Sequence, residues 1–148
     1  MKAAVVIPTQ RRAPYLEVAL ASIVPQARAA EAEVLVVDDG PDEATRAAAE
    51  RHGARYLRHD APRGLNAARN AALQATDAPL VCFVDDDVEV RPGWLAALLG
   101  AAAAASSASS QPPRTSTSSS TKHTSSASVA CRAVLRAALR PRGASWPR

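Results

Sequence analysis

Four short apolar runs, rich in aliphatic and β-branched residues, occur in the first hundred residues and predict β-strands. They cover residues 3–7, 33–37, 54–57 and 80–84, and the third is the weakest. Between and after these runs, apolar residues recur at the spacing of a helix face, which predicts helices over residues 14–24, 41–52, 64–75 and 92–104. Pro25 is expected to end the first helix and Gly53 the second. The third helix is expected to bury Leu65, Ala68, Ala72 and Leu73.

Strands that alternate with helices predict an α/β, Rossmann-like fold with a mostly parallel sheet of about four strands and flanking helices. Parallel neighbours need crossover connections, and the helices supply them. Polar residues follow three of the strands: Thr9 the first, Asp38 and Asp39 the second, and Asp85 to Asp87 the fourth. Because ligands bind beyond the carboxyl ends of such strands, these residues are expected to line one site.

The composition changes after residue 100, where Ala, Ser, Thr and Pro dominate and no acidic residue occurs. Such a segment buries too little apolar surface to offset its chain entropy, so residues 101–148 are expected to be a disordered tail or a frame-shifted product. Residues 1–100 are predicted to form the folded domain. The tail holds 7 of the 18 Lys and Arg residues, so the overall charge of +4 describes the tail rather than the domain.

The chain has no apolar run long enough to span a membrane and no signal-peptide pattern at Met1, which predicts a cytoplasmic protein. Cys82 and Cys131 form neither a metal box nor a disulfide framework.

The three carboxylates of Asp85, Asp86 and Asp87 repel one another, so a fold keeps them together most easily beside a cation. Mg²⁺ or Mn²⁺ fits, because these hard cations choose oxygen ligands and commonly bridge to substrate phosphates. A solvated turn is the alternative for a generic run of Asp residues. The sequence therefore indicates a divalent-metal site, and the polar residues after the first two strands make this interpretation stronger than the Asp triplet alone would.

Other polar residues near these strand ends suit a nucleotide. Asp39 can accept hydrogen bonds from a base imino group or from ribose hydroxyls. Arginines that could contact phosphate are Arg11, Arg12, Arg63 and Arg69, although each alone is more often a solvated surface charge. Asp38 has a turn or helix-capping role as its alternative, and Thr9 could simply satisfy local backbone groups.

Four segments, residues 5–9, 34–40, 64–70 and 83–95, together resemble the N-terminal half of a family 2 glycosyltransferase with the GT-A fold. The resemblance covers about residues 3–100. It implies inverting transfer of a sugar from a nucleoside diphosphate sugar to an acceptor hydroxyl, with Mg²⁺ or Mn²⁺ bound by the aspartate motif.

By motif position, the resemblance assigns the nucleotide base to Thr9 and Asp39, and it places Arg63 and Gly64 beside the nucleotide. Asp86 would face the ribose or the metal, while Asp85 and Asp87 would hold the metal and the diphosphate. Asp38 and Arg69 complete the set of residues expected at the nucleotide.

The sequence departs from the family pattern in two places. The first motif usually continues Thr-x-Asn-Arg, whereas this chain has Gln10, Arg11 and Arg12 after Thr9. The family also keeps its acidic general base and most acceptor contacts in a second half, yet no Asp or Glu occurs after Glu89. We therefore expect a truncated, impaired enzyme or an inactive nucleotide-binding fragment, with self-association through an exposed sheet edge.

Two other classes of protein share some of these sequence features. A receiver-like domain also binds Mg²⁺ with acids at parallel strand ends, but it needs an acidic pair after the first strand, where this chain has Pro8 and Thr9, and a late lysine, whereas its only lysines are Lys2 and Lys122. A nucleic-acid binder could use the basic tail, including a basic amphipathic helix over residues 129–139, but it lacks interleaved aromatic residues. No nucleic-acid partner is therefore expected.

Overall fold

A computed structural model describes residues 2–109 and 139–140 of the chain. The strands are β1 (Ala3–Thr9), β2 (Glu33–Asp38), β3 (Arg55–Arg58), β4 (Leu80–Phe83), β5 (Glu89–Val90) and β6 (Leu139–Arg140). The helices are α1 (Ala13–Ala29), α2 (Glu43–His52), α3 (Leu65–Ala75) and α4 (Trp94–Ser109). Most of the predicted tail lies outside the described residues. Within the described part of the chain, no helix is both long and apolar enough to cross a bilayer.

The main sheet has the strand order β3-β2-β1-β4, and all three neighbouring pairs are parallel. The predicted α/β fold is therefore confirmed. The chain adds β2 and β3 on one side of β1 and then crosses to place β4 on the other side. Such a reversal of direction leaves a crevice beyond the carboxyl ends of β1 and β4, which is where ligands bind in this class of sheet.

Helices cover both faces of the sheet. One face of β1 and β2 packs against α1 and α2, and the other face packs against Ala68 and Ala72 of α3. Every residue of β1 is buried, which explains why this strand reads as a continuous apolar run instead of an alternating one. A central strand covered on both sides holds the residues at its carboxyl end in fixed positions.

The apolar face of α3 differs from the prediction. Ala68 and Ala72 are buried as expected, but Leu65 and Leu73 are each 49% exposed. The two alanines allow a close approach between helix and sheet, so the neighbouring leucines remain outside that contact. The prediction was wrong because periodicity alone cannot rank small and large apolar residues on adjacent helix rows.

The end of α1 also differs, because the helix continues through Pro25 to Ala29. Proline removes the amide that would bond to the Ala21 carbonyl. Both Ala21 and Pro25 are on the exposed side, where water can satisfy that carbonyl. On the buried side Val24 and Ala27 continue the packing of the helix, and this burial outweighs the local cost of Pro25.

Two short elements follow the acidic triplet. The backbone amide of Val90 in β5 donates to Ser22 Oγ (3.1 Å), and β5 pairs antiparallel with β6. The helix α4 extends to Ser109, beyond its predicted end at residue 104. Strands β3 and β4 form the edges of the main sheet, and self-association through either edge stays a prediction.

Gln26 joins α1 to the segment that follows the acidic triplet. Its Nε2 donates to the Arg91 carbonyl (2.9 Å), and its Oε1 accepts from the Leu95 amide (3.3 Å). Its Nε2 also donates to the Ser22 carbonyl within α1 (3.1 Å). We expect Gln26→Ala to lower the free energy of unfolding by about 1–2 kcal/mol, since these three hydrogen bonds are lost. Chemical denaturation would measure this change, and Gln74→Ala, at an exposed glutamine of α3, is the matched control. Equal stability of both variants would contradict the anchoring role.

Candidate functional site

A cavity of about 430 Å³ lies at the carboxyl edge of the sheet. Its walls come from the ends of β1, β2 and β4 and from the start of α3. The structure therefore brings together the predicted strand-end residues Thr9, Asp39 and Asp85 to Asp87. The lining residues are Pro8, Thr9, Gln10, Arg12, Asp39, Leu65, Ala68, Asp85, Asp86 and Asp87.

Asp86 is the buried member of the acidic triplet, with only 4% of its surface exposed. Its Oδ2 accepts a hydrogen bond from Thr9 Oγ1 (2.7 Å), and its Oδ1 pairs with Arg12 Nη1 (2.9 Å). Burial raises the pKa of Asp86 above its ordinary value, and the contacts with Thr9 and Arg12 offset part of that rise. Both oxygens are thus held by the end of β1 and the start of α1.

Asp85 and Asp87 are exposed at the cavity. Asp87 Oδ2 pairs with Arg12 Nη2 at 3.1 Å, so one guanidinium joins the second and third acids of the triplet. The same guanidinium lies 4.7 Å from the ring centroid of Tyr15. The sequence indicates Arg12 only as a possible phosphate contact and does not predict this ion pair, although the position of Arg12 in the first motif is a usable signal.

The carboxylate of Asp39 holds a loop to the end of β2. Oδ1 accepts from the Arg63 amide (2.7 Å) and lies 2.9 Å from His59 Nδ1, while Oδ2 accepts from the Gly64 amide (2.7 Å). Burial acts to raise the pKa of Asp39, but the hydrogen bonds from His59, Arg63 and Gly64 outweigh it and lower the pKa below its ordinary value. Asp39 is therefore an ionised anchor for the segment that leads into α3.

His59 was missed by sequence reasoning. It follows β3 directly, its backbone amide donates to the Asp38 carbonyl (2.9 Å), and its ring is buried against Asp39. His59 could have been predicted as Thr9 and Asp39 were, because polar residues that directly follow parallel strands meet at the carboxyl edge of the sheet. It was not predicted because the third apolar run, which His59 follows, is the weakest strand signal in the sequence.

Asp38 is not brought to the cavity. It is fully buried, and its Oδ2 accepts from Tyr56 Oη (2.8 Å) and from the Asp42 amide (3.1 Å). These contacts match the turn role that was its alternative. Burial raises the pKa of Asp38, with the hydrogen bond from Tyr56 opposing the rise, and its Oδ1 has no partner among the described residues.

The predicted arginines are placed differently from one another. Arg63 and Gly64 reach Asp39 through their backbone amides, and the Arg63 side chain is exposed. Arg69 is half-buried, with its guanidinium 5.8 Å from the centroid of the Phe83 ring. Arg11 is exposed, and none of these three arginine side chains belongs to the cavity lining.

The oxygen donors at the cavity suit a divalent cation bound jointly with a ligand. Within the described residues no cluster of three or more His, Cys, Asp or Glu side chains converges to hold a metal ion. Mg²⁺ sites of the substrate-bridging kind need only one or two carboxylates, because phosphate oxygens and water complete the coordination. Asp85 and Asp87, both exposed at the cavity, fit that requirement.

One family profile and several known glycosyltransferases match this chain. The family profile described as Glycosyl transferase family 2 matches residues 4–144. Pre-mycofactocin glycosyltransferase of Mycobacterium tuberculosis is 41% identical over 70 residues, which cover 45% of this chain and 15% of that protein.

Solved structures with the same fold include several glycosyltransferases. S. aureus TarS 1-349 in complex with UDP-GlcNAc has a TM-score of 0.65 and 26% identity, covering 72% of this chain and 32% of that one. The mannosyltransferase PcManGT from Pyrobaculum calidifontis, in complex with GDP-Man and Mn²⁺, has a TM-score of 0.60 and 26% identity, and the match covers 66% of this chain and 31% of that one. Glucosyl-3-phosphoglycerate synthase from Mycobacterium tuberculosis, with Mn²⁺, UDP and glucosyl-3-phosphoglycerate, has a TM-score of 0.56 and 25% identity. That match covers 67% of this chain and 38% of that one. The matched region thus spans about a third of each of these structures.

Proposed function

The chain belongs to glycosyltransferase family 2, and from this membership we propose that its cavity binds a nucleoside diphosphate sugar together with Mg²⁺ or Mn²⁺. The proposed reaction is transfer of the sugar to an acceptor hydroxyl with inversion of the anomeric configuration. The observation that carries the proposal is the presence of Asp39 and the triplet Asp85 to Asp87 in the lining of one cavity. One anchor for a base and one for a diphosphate then lie in a single site.

The hydrogen bonds of Asp39 indicate what kind of base it can accept. A carboxylate has about two acceptor positions on each oxygen. Oδ1 already has two donors, from His59 and Arg63, whereas Oδ2 has one, from Gly64. The remaining position on Oδ2 suits a single imino N–H, which uracil, thymine and guanine have and cytosine and adenine lack.

The acidic triplet is proposed to hold the other end of the donor. Asp85 and Asp87 present carboxylate oxygens to the cation, and Asp86, assigned by motif position to the ribose or metal, fixes the positions of its neighbours through Thr9 and Arg12. When bound, the cation supplies charge neutralisation to the departing diphosphate. The side chain of Arg63 is exposed outside the cavity lining, and it is proposed to turn toward a nucleotide phosphate when the donor binds.

Donor binding and sugar transfer are separable in this proposal. Transfer needs a base to deprotonate the acceptor hydroxyl, and no Asp or Glu follows Glu89 in these 148 residues. We propose that this chain binds the donor and, as it stands, transfers sugar weakly or not at all. The function is then best tested by binding rather than by turnover.

Calorimetric titration with UDP, GDP, dTDP, CDP and ADP, each with and without Mn²⁺, tests this function. We expect at least one of the first three to bind in a manner that requires Mn²⁺, and we expect CDP and ADP to bind more weakly, because their bases lack the imino donor. Failure of well-folded protein to bind any of the first three, or binding indifferent to Mn²⁺, would overturn the proposal.

A further inference from the structure

We propose that Arg12 is an internal counter-ion of the acidic triplet, and that it gives up Asp87 to an incoming divalent cation while it keeps Asp86. The inference rests on the proposed function, since it concerns the cation of the same site. It assigns to Arg12 a counter-ion role in addition to the phosphate contact that the sequence indicates.

The geometry separates the two contacts of Arg12. Its contact with Asp86 is the shorter, at 2.9 Å, and the Asp86 side chain is only 6% exposed. Its contact with Asp87 is 3.1 Å, and both side chains are open to solvent, at 43% for Arg12 and 45% for Asp87. An exposed ion pair contributes little free energy and exchanges readily, whereas breaking the pair at Asp86 would leave a charge buried. Exchange is therefore expected at Asp87.

The charges at this edge favour such an exchange. Among the described residues, Arg12 is the only basic side chain paired with the triplet. One guanidinium beside three carboxylates gives a formal net charge of −2, which matches one divalent cation. Arg12 and the cation nevertheless repel each other, so the full guanidinium bridge and a bound cation are mutually unfavourable.

The released guanidinium has a second use. Once it leaves Asp87, its Nη2 group remains at the cavity beside the position proposed for the diphosphate, and a guanidinium fork suits phosphate oxygens. Arg12 therefore opposes binding of the bare cation and favours binding of the cation with a nucleotide. This couples the two ligands without any change in the fold.

The test is a titration of nucleotide-free protein with Mn²⁺, followed by electron paramagnetic resonance of the free ion. Arg12→Gln removes the charge, and we expect it to bind Mn²⁺ on the order of tenfold more tightly than the wild-type chain, because one unit charge near a divalent ion is lost. Arg11→Gln is the matched control, because Arg11 is the exposed neighbour and is expected to alter the affinity by less than about twofold.

Folded Arg12→Gln with unchanged or weaker Mn²⁺ affinity would overturn the inference, as would the absence of Mn²⁺ binding in both proteins. Arg12→Lys covers the case in which Arg12→Gln does not fold. Lysine keeps the charge but cannot bridge two carboxylates with a planar fork, so we expect this variant to bind Mn²⁺ more tightly than wild type and to refute the inference if it does not.

The nucleotide titrations separate this inference from the proposed function. One outcome is that UDP or GDP binds in a Mn²⁺-dependent manner while Arg12→Gln and the wild-type chain have the same Mn²⁺ affinity. That outcome would overturn the counter-ion role alone. Tighter Mn²⁺ binding by Arg12→Gln in a chain that binds no nucleotide would support the counter-ion role and overturn the donor site.

Discussion

Replacing Asp87 with alanine is expected to weaken Mn²⁺-dependent nucleotide binding by at least about a hundredfold, or about 2.7 kcal/mol. Asp87 is 45% exposed at the cavity, and its carboxylate is held only by an exposed contact with Arg12, so it is open to a cation. Its loss removes a proposed ligand of the cation while leaving the buried pair of Asp86 and Thr9 intact. Calorimetry with UDP or GDP and Mn²⁺ measures the change.

Asp77→Ala is the matched control for this variant. Asp77 is exposed and precedes β4, so it lies at the amino end of the sheet, opposite the cavity, and its replacement changes the net charge by the same amount. We expect the control to keep wild-type nucleotide affinity. Equal affinity of Asp87→Ala and Asp77→Ala for the nucleotide would refute the assignment of Asp87 to the cation.

The topology explains why much of this site was predictable from the sequence. Parallel strands that alternate with helices bring all their carboxyl ends to one edge, so Thr9, Asp39 and the acidic triplet could be placed together without knowing any side-chain position. The period of each run and the helix-ending Gly53, which adopts the left-handed conformation at φ 72°, are local signals. Local signals of this kind are enough to predict the order of strands and helices in a fold whose connections are regular.

Features that depend on packing between distant elements were not predictable. Pro25 continues a helix because burial on the opposite side of α1 outweighs a local penalty. Leu65 is exposed because two alanines of α3 bring the helix close to the sheet. The pairing of Arg12 with Asp86 joins residues far apart in the chain, and no periodicity reports such a contact.

The two acids after β2 show how neighbours in sequence diverge in the fold. Successive residues of a strand point to opposite faces, so Asp38 meets Tyr56 while Asp39 meets the loop that begins at His59. Burial raises the pKa of Asp38, whereas three donors lower that of Asp39. Adjacent carboxylates thus have different roles, which the sequence left open for Asp38.

Replacing Asp39 is expected to loosen the loop that leads into α3. Asp39→Ala removes the acceptor for the Arg63 and Gly64 amides and for His59, so we expect the free energy of unfolding to fall by about 2–4 kcal/mol. Amide exchange at residues 59–64 should become faster, and nucleotide binding should be lost. Unchanged exchange protection at Arg63 and Gly64 would contradict the anchoring role.

The pH dependence of stability provides a second measurement on Asp39. Because its folded pKa lies below the unfolded value of 3.8, its ionised form stabilises the fold above about pH 3.8, and this contribution is lost as the pH falls through the folded pKa. Asp38 and Asp86, with raised pKa values, act in the opposite direction, so only a comparison isolates Asp39. We expect the stability difference between wild type and the non-titrating variant Asp39→Asn to shrink as the pH falls below 3.8. A difference that stays constant on acidification would mean that the carboxylate charge does not hold the loop.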